Sequence, residues 1–303
     1  MALKVVRRAL SAQSWASAWH FVRTNKMLVT GLGIVFVLAV SGHVASIFVD
    51  AERADVGAGA PARPPSWLPA AKNHPGFALG TDQQGRDVFA DLLLGTPATI
   101  RIGLIAGLLG VLAGTLLGFT GGYFGGLWDT FVTLATDVFM TIPALMILIV
   151  IVSMVQVLST EALGLIIASL AWPAPARMIR SQVLTMRERA YVQIARLNGV
   201  RDFKIIVMEM VPNLLPFLAA GLVGATAAAV LASIGLSALG LGPQNEPSLG
   251  LTIYWSLFYG ALIRGMWWWW GPPMLIIVLL FIGLFLAAAG LDQIANPRLR
   301  KSA

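Results

Sequence analysis

RERAYVQIARLNGVRDFKIIVMEMVPNLLP, residues 187–216, is a charged segment set between apolar runs long enough to cross a bilayer. Seven Lys/Arg stand within residues 177–204 (Arg177, Arg180, Arg187, Arg189, Arg196, Arg201 and Lys204), and the positive-inside bias puts such a loop on the cytoplasmic face, where it can touch a soluble partner. Gly199 divides the stretch. Residues 187–198 are mostly helix formers, Gly199 supplies a corner with φ > 0, and Asp202 is placed to cap the helix that follows. Pro212 ends that second helix or starts the next span. The expected product is a helix–turn–helix elbow beneath the membrane. On its first arm Tyr191, Ile194, Ala195 and Asn198 recur at helical spacing as a face that packs upward, leaving Arg189, Gln193 and Arg196 elsewhere around the barrel to dock downward.

Composition bounds the class. Of 303 residues 57% are hydrophobic and 12% charged, so this is an integral membrane protein rather than a soluble globule. The net charge of +7 does not point to nucleic acid, because the basic residues cluster beside apolar runs, where topology and anionic lipid account for them. There are no cysteines, which removes disulfides and thiolate metal sites. None of the five lysines (Lys4, Lys26, Lys72, Lys204, Lys301) follows a glycine, so no Walker A loop holds ATP, and no H-E-x-x-H or G-x-S-x-G stands in the chain.

Residues 1–26 carry five Lys/Arg and no acid, a cytoplasmic N-terminal segment whose Trp15, Trp19 and Val22 lie one turn apart for the headgroup layer. Residues 27–49 form an uncharged first span. Residues 50–99 are extracytoplasmic, with a Pro-rich middle and then GTDQQGRDVFADLLLG, residues 80–95. There Thr81, Asp82, Gly85, Arg86 and Asp87 suggest a tight turn capping a short amphipathic helix, with Arg86 held by a neighbouring carboxylate. Residues 100–293 are the transmembrane core, spans 2–6, with the elbow loop at 181–212, and residues 294–303 a cytoplasmic tail. In the second span Gly103, Gly107, Gly110, Gly114 and Gly118 make one smooth face for close helix packing. Residues 130–153 are interrupted by Asp137, an expensive intramembrane charge that Arg177 or Arg180 can reach. Pro143 kinks that span; Pro173 and Pro175 break the next. Residues 247–263 are uncharged, but a seventh crossing would put Arg298, Arg300 and Lys301 outside, so a re-entrant or interfacial helix is expected. Trp267 to Trp270 read as an interfacial aromatic belt.

Several of these strings resemble ABC-importer permeases, from about residue 20 to residue 300. The elbow resembles their cytoplasmic coupling loop, Glu-Ala-Ala, three residues, Gly, nine residues, Ile-x-Leu-Pro: Ala195, Gly199 and Pro212 fall on that register, while Gln193, Ile194, Glu209 and Val211 depart from it. The string at residues 80–87 matches the Gly-Thr-Asp-x-x-Gly-Arg-Asp signature of the second permease of dipeptide/oligopeptide/nickel importers. TDVFMTIPALMIL, LSALGLG with EPSLG, and GLDQIANPRLR are similar to further stretches of the family, although Ser233 stands where it usually carries Glu, and Asp292-Gln293 where it has Arg-Asp.

The resemblance implies an all-α, six-span importer-type permease with a coupling-helix elbow, multi-pass in a bacterial or archaeal plasma membrane, both termini cytoplasmic. It implies a non-enzymatic subunit that binds no cofactor and no metal. Its partners would be a paralogous permease, two ATP-binding subunits that hold ATP and magnesium, an extracytoplasmic substrate-binding protein and membrane lipid. Short peptides are the expected substrate; nickel, haem and glutathione stay open. The rival reading is a self-contained ion-coupled transporter or channel using Asp137.

Overall fold

The computed structural model describes residues 25–45, 49–68 and 76–295. The expected headgroup tryptophans Trp15 and Trp19 with Val22, and the tail with Arg298, Arg300 and Lys301, lie outside the described residues. Among the described residues eleven α-helices follow in order: α1 Lys26–Ala45, α2 Val88–Phe124, α3 Gly126–Thr141, α4 Ala144–Ser153, α5 Thr160–Ala171, α6 Pro173–Arg187, α7 Ala190–Leu197, α8 Asp202–Ile205, α9 Val211–Ala238, α10 Leu249–Phe258 and α11 Trp267–Ala295. The one extended pairing among the described residues is the bridge Thr81 to Asp87.

Among the described residues three helices are long and apolar enough to cross a membrane: α2, the run Asp202–Ala238 and residues Trp267–Gln293 of α11. Two bent pairs raise that number to five. The pair α3–α4 turns through 78° and the pair α5–α6 through 42°. The first turn has a local cause: Pro143 forces Ile142 into extended backbone, φ −89 and ψ 130, so the helix breaks rather than kinks. The second falls at Trp172, with Pro173 opening α6 at a position where a missing N–H costs nothing.

Helix α2 is the spine. It begins at Val88 and runs 37 residues, so the short amphipathic helix expected after Asp87 does not exist as a separate element, and the boundary expected between residues 99 and 100 falls inside α2. Its glycines divide between neighbours. A Cβ on Gly103 or Gly107 would meet Val230 or Thr226 of α9, and one on Gly110, Gly114 or Gly118 would meet Ala171, Trp172 or Ala176 where α5 passes into α6, all at 2.3–2.6 Å. Backbones approach this closely only where side chains are absent.

At the other flank α1 lies along α11. Gly31 faces the backbone of Gly283 and Ala287, Gly290 faces Leu28, and Asn25 Nδ2 donates to Gly290 O at 3.3 Å and Gln293 Oε1 at 2.9 Å. Helix α10 is ten residues, about 15 Å, too short to cross, and it packs its Leu249, Leu251 and Ile253 inward.

Candidate functional site

The elbow is built on the ends of α2, α6 and α9. Helix α6 stops at Arg187, the chain turns through Glu188 and an extended Arg189, and α7 carries eight residues before Gly199. Gly199 sits at φ +70, the left-handed corner that ends α7 through backbone bonds to Arg196 O and, from Val200, to Ala195 O. The second arm is not a separate helix. Residues 202–238 run as one rod, because the π-helical turn Ile206–Met210 lets Val211 N donate to Ile206 O just before Pro212, whose missing N–H would leave a gap in an α-helical ladder. Pro212 therefore stands in the first turn of α9, as expected of a residue that starts the next span, but inside a rod that runs on unbroken from Asp202.

Two details of the elbow differ from expectation. Asp202 is the first helical residue, not the cap; Arg201 holds the cap position without a side-chain bond. The Asp202 carboxylate instead accepts the Tyr123 hydroxyl at 2.5 Å. The inward face of α7 is Val192, fully buried, with Ala195 behind it, packed among Phe119, Tyr123, Ile179, Val183 and Ile205. Burying Val192 is worth about 1.5–3 kcal/mol. Tyr191, Ile194 and Asn198, expected to pack upward, face out, and Ile194 is 58% and Leu197 87% exposed. The geometric reason is register: Val192 and Ala195 are three apart and share a face that Tyr191 and Ile194 flank.

Tyr123 is the residue that sequence reasoning missed. Besides Asp202 it carries the Arg196 guanidinium over its ring at 4.8 Å, and Arg187 Nη1 donates to its carbonyl oxygen at 3.4 Å and to that of Gly122 at 3.3 Å. One buried aromatic at the end of the spine thus holds both arms of the elbow. The only sequence signal was its place in GGYFGG, the sole polar aromatic at the end of a glycine-faced helix. Gln193 Nε2 donates to Glu188 Oε2 at 3.3 Å, a local tie within the elbow, while the Arg189 side chain has no ion-pair partner among the described residues.

Of the other basic residues, Arg180 grips Asp129 through two bonds of 2.5 and 2.6 Å, and Arg177 pairs with Asp137. Both pairs join α6 to α3.

The signature at residues 80–87 forms a second constellation, at the end of α2 away from the elbow. Thr81 Oγ1 donates to Ala60 O at 2.6 Å and accepts Arg63 N at 2.9 Å. Asp82 Oδ1 accepts the backbone N–H groups of Gln84 and Arg86, each at 2.8 Å, and closes the turn. Gly85 at φ +79 lets the chain pass Gly59, whose carbonyl oxygen would stand 2.2 Å from any Cβ. Asp87 caps α2 by accepting Phe89 N at 3.0 Å. The ion pair differs from expectation: Arg53 meets Asp87 at 3.2 Å, and the Arg86 guanidinium, left facing a cleft with Asp55, Asp91 and Glu246, makes no ion pair among the described residues. Burial pushes Asp82 and Asp87 above the ordinary carboxylate range, against the opposing pull of Arg86 on Asp82 and of Arg53 on Asp87.

Three of the four tryptophans expected as an interfacial belt pack on this constellation or beside it. Trp268 Nε1 donates to Thr81 O at 3.3 Å, Trp267 packs on Trp67 at 5.8 Å, and Trp269 is buried against Tyr259. Trp269 faces inward and Trp268 is half-buried, giving the exterior segment an apolar bed at the start of α11, while Trp267 stays exposed.

A model of the family described as "Binding-protein-dependent transport system inner membrane component" matches residues 110–301. The chain is 32% identical over 179 residues to the oligopeptide transport system permease protein OppC of Lactococcus lactis subsp. cremoris (strain SK11), covering 59% of this chain and 61% of that protein. It is 29% identical over 290 residues to the dipeptide transport system permease protein DppC of Bacillus subtilis (strain 168), covering 94% and 86%, and 27% identical over 233 residues to that of Haemophilus influenzae, covering 77% and 78%. The matched residues 110–301 take in the last part of α2, the elbow, and α3 to α11 whole. The chain belongs to the binding-protein-dependent transport system inner membrane components, a family of multi-pass membrane permeases.

Proposed function

We propose that this chain is one permease subunit of an ATP-driven importer of short peptides, and that its elbow is the handle by which a separate ATPase moves the spans. The single observation that carries the reading is the elbow's two-sidedness. Val192 and Ala195 are locked to the bundle, while Tyr191, Ile194, Leu197 and Phe203 leave apolar surface exposed beside Arg189 and Arg201. A monomer gains nothing by exposing such a patch; a docked partner covers it.

Six crossings follow if α1, α2, the pair α3–α4, the pair α5–α6, the rod 202–238 and α11 each cross once. Both termini are then cytoplasmic, with the Arg86 turn on the outer face. A second, paralogous permease completes the pathway, two ATP-binding subunits hold the ATP and magnesium, and an extracytoplasmic binding protein delivers the substrate at the outer face. The elbow has the stiffness the task requires: force on α7 reaches α2 through Tyr123 and passes along α6 through Arg187. Short peptides are favoured as cargo because the similar permeases are named for oligopeptide and dipeptide transport. The ion-coupled rival loses support because the Arg177 guanidinium beside Asp137 repels a cation.

The test is the assembled transporter in proteoliposomes carrying Gly199→Pro or Arg196→Glu. Both are expected to assemble and hydrolyse ATP while uptake falls about tenfold or more, since each breaks the handle and spares the spans. Wild-type uptake by both variants refutes the reading.

A further inference from the structure

Two ion pairs join α3 to α6, and they differ. Asp129 and Arg180, near the elbow, are largely covered, at 19% and 28% exposure, and bond through two contacts. That pair is a staple. About two turns along α3 from Asp129, and less than one turn along α6 from Arg180, Asp137 and Arg177 touch through a single contact and each is 53% exposed. The helices are already fastened, so the second pair is not needed to hold them. Each of its residues lies roughly 15 Å along its helix from the elbow end, about half of a hydrocarbon core.

In the six-span arrangement proposed above, half-exposed charges partway along crossing helices are turned away from lipid, toward water, a polar occupant or the second permease. Their surroundings fit an occupant. Asp137 and Arg177 line a cleft of about 270 Å³ with Val132, Thr133, Thr136 and Arg180, whose charge Asp129 already answers, and the buried Thr133 hydroxyl has no hydrogen-bond partner among the described residues. Along the same α3–α6 seam, one turn on, an apolar groove of about 370 Å³ opens at the two proline breaks, walled by Phe139, Pro143, Pro173 and the alanines of α9, among them Ala225, Ala228 and Ala232. Opposite charges beside an apolar groove complement a small zwitterion carrying side chains.

We propose that Asp137 and Arg177 form a transit site for peptides with free termini, Arg177 taking the C-terminal carboxylate and Asp137 the N-terminal ammonium as the two release each other, with a side chain in the groove at the proline breaks. Two charges in direct contact can separate only by the length of their own side chains, so the site suits peptides of two or three residues, roughly 7–10 Å when extended. Arg suits the carboxylate because its planar fork binds both oxygens. The proposal rests on the peptide-permease reading and gives it a place in the chain.

The chain contains no cysteine, so a single introduced thiol reports cleanly. In the assembled transporter, Asp137→Cys is expected to react with a charged, water-soluble thiosulfonate; Thr133→Cys, which keeps both charges, is expected to react as well, and there saturating dialanine is expected to slow labelling of this chain about tenfold while N-acetyl-dialanine amide does not. Reaction only with a lipid-soluble maleimide, or labelling indifferent to dialanine, overturns the proposal. The charge exchange D137R/R177D separates site from staple. A structural pair regains wild-type uptake on exchange, which overturns the proposal; a site that orients a zwitterion stays about tenfold or more below wild type. If Gly199→Pro uncouples while dialanine gives no protection, this proposal fails alone; if neither effect is seen, the permease reading fails with it.

Discussion

The Tyr123 hydroxyl at the end of α2 donates a 2.5 Å hydrogen bond to the Asp202 carboxylate at the start of α8, across 79 residues of chain. The bond fastens the far side of the Gly199 corner to the spine, while Arg196 over the same ring fastens the near side. Tyr123→Phe keeps the ring and the packing and removes only the charge-assisted bond, worth about 1–2 kcal/mol at a partly buried site. The expected result is normal assembly with faster amide exchange across residues 190–202, read by mass spectrometry. Unchanged exchange there would show that packing of Val192 alone holds the arm.

Gly199 and Gly85 both have positive φ but are expected to respond differently to alanine. At Gly199 a Cβ meets nothing within 4 Å, so Gly199→Ala costs only the left-handed backbone, about 1–2 kcal/mol. At Gly85 the same change also drives a Cβ to 2.2 Å from the Gly59 carbonyl oxygen. Thermal unfolding of the purified complex is expected to show a small shift for the first variant and a larger one, with loss of the exterior segment's protease resistance, for the second.

Gly110→Leu is expected to lower the yield of assembled complex sharply, because its first side-chain atom already lies 2.5 Å from Ala171 Cβ; overpacking of this kind costs about 1–3 kcal/mol or more. Gly33→Ala is the matched control in another apolar helix, with nothing within 4 Å of its Cβ, and the better helix former is expected to be neutral or to stabilise by up to about 1 kcal/mol. Equal behaviour of the two would remove the close-packing account of α2.

The exterior cap carries a pH signature. Burial holds the native Asp82 and Asp87 above the ordinary value of 3.8, so between that value and their native ones the folded segment retains protons that the unfolded chain has released. Their contribution to stability is therefore fully present below 3.8 and is lost as pH rises through the native values. Proteolytic nicking of residues 50–68 is expected to accelerate over that rise, and Asp87→Asn to flatten the dependence. A profile that is flat, or that rises in the opposite sense, would contradict it.

Trp268→Phe removes the bond to Thr81 O and leaves an aromatic in place. A loss of about 1 kcal/mol in the stability of the exterior segment is expected, with transport-complex assembly unchanged. The quantity to measure is protease resistance at residues 50–68, since Thr81 is the residue to which Ala60 and Arg63 are bonded.

What the chain determines by itself is whatever depends on local backbone chemistry and on the cost of charge in lipid. The apolar runs, the corner at Gly199, the breaks at Pro143 and Pro173 and the cap at Asp87 are all properties of neighbouring residues, and each is present in the fold. Partner choice across long separations is not local, and there the tertiary structure decided. Nothing near Asp202 reveals that its carboxylate answers Tyr123, nothing near Asp87 that Arg53 rather than Arg86 meets it, and the spacing of Tyr191 and Ile194 is as periodic as that of Val192 and Ala195. A helix has a packed face only once something packs against it, and a charge has a partner only once the chain returns to it; both are settled when α2, α6 and α9 come together.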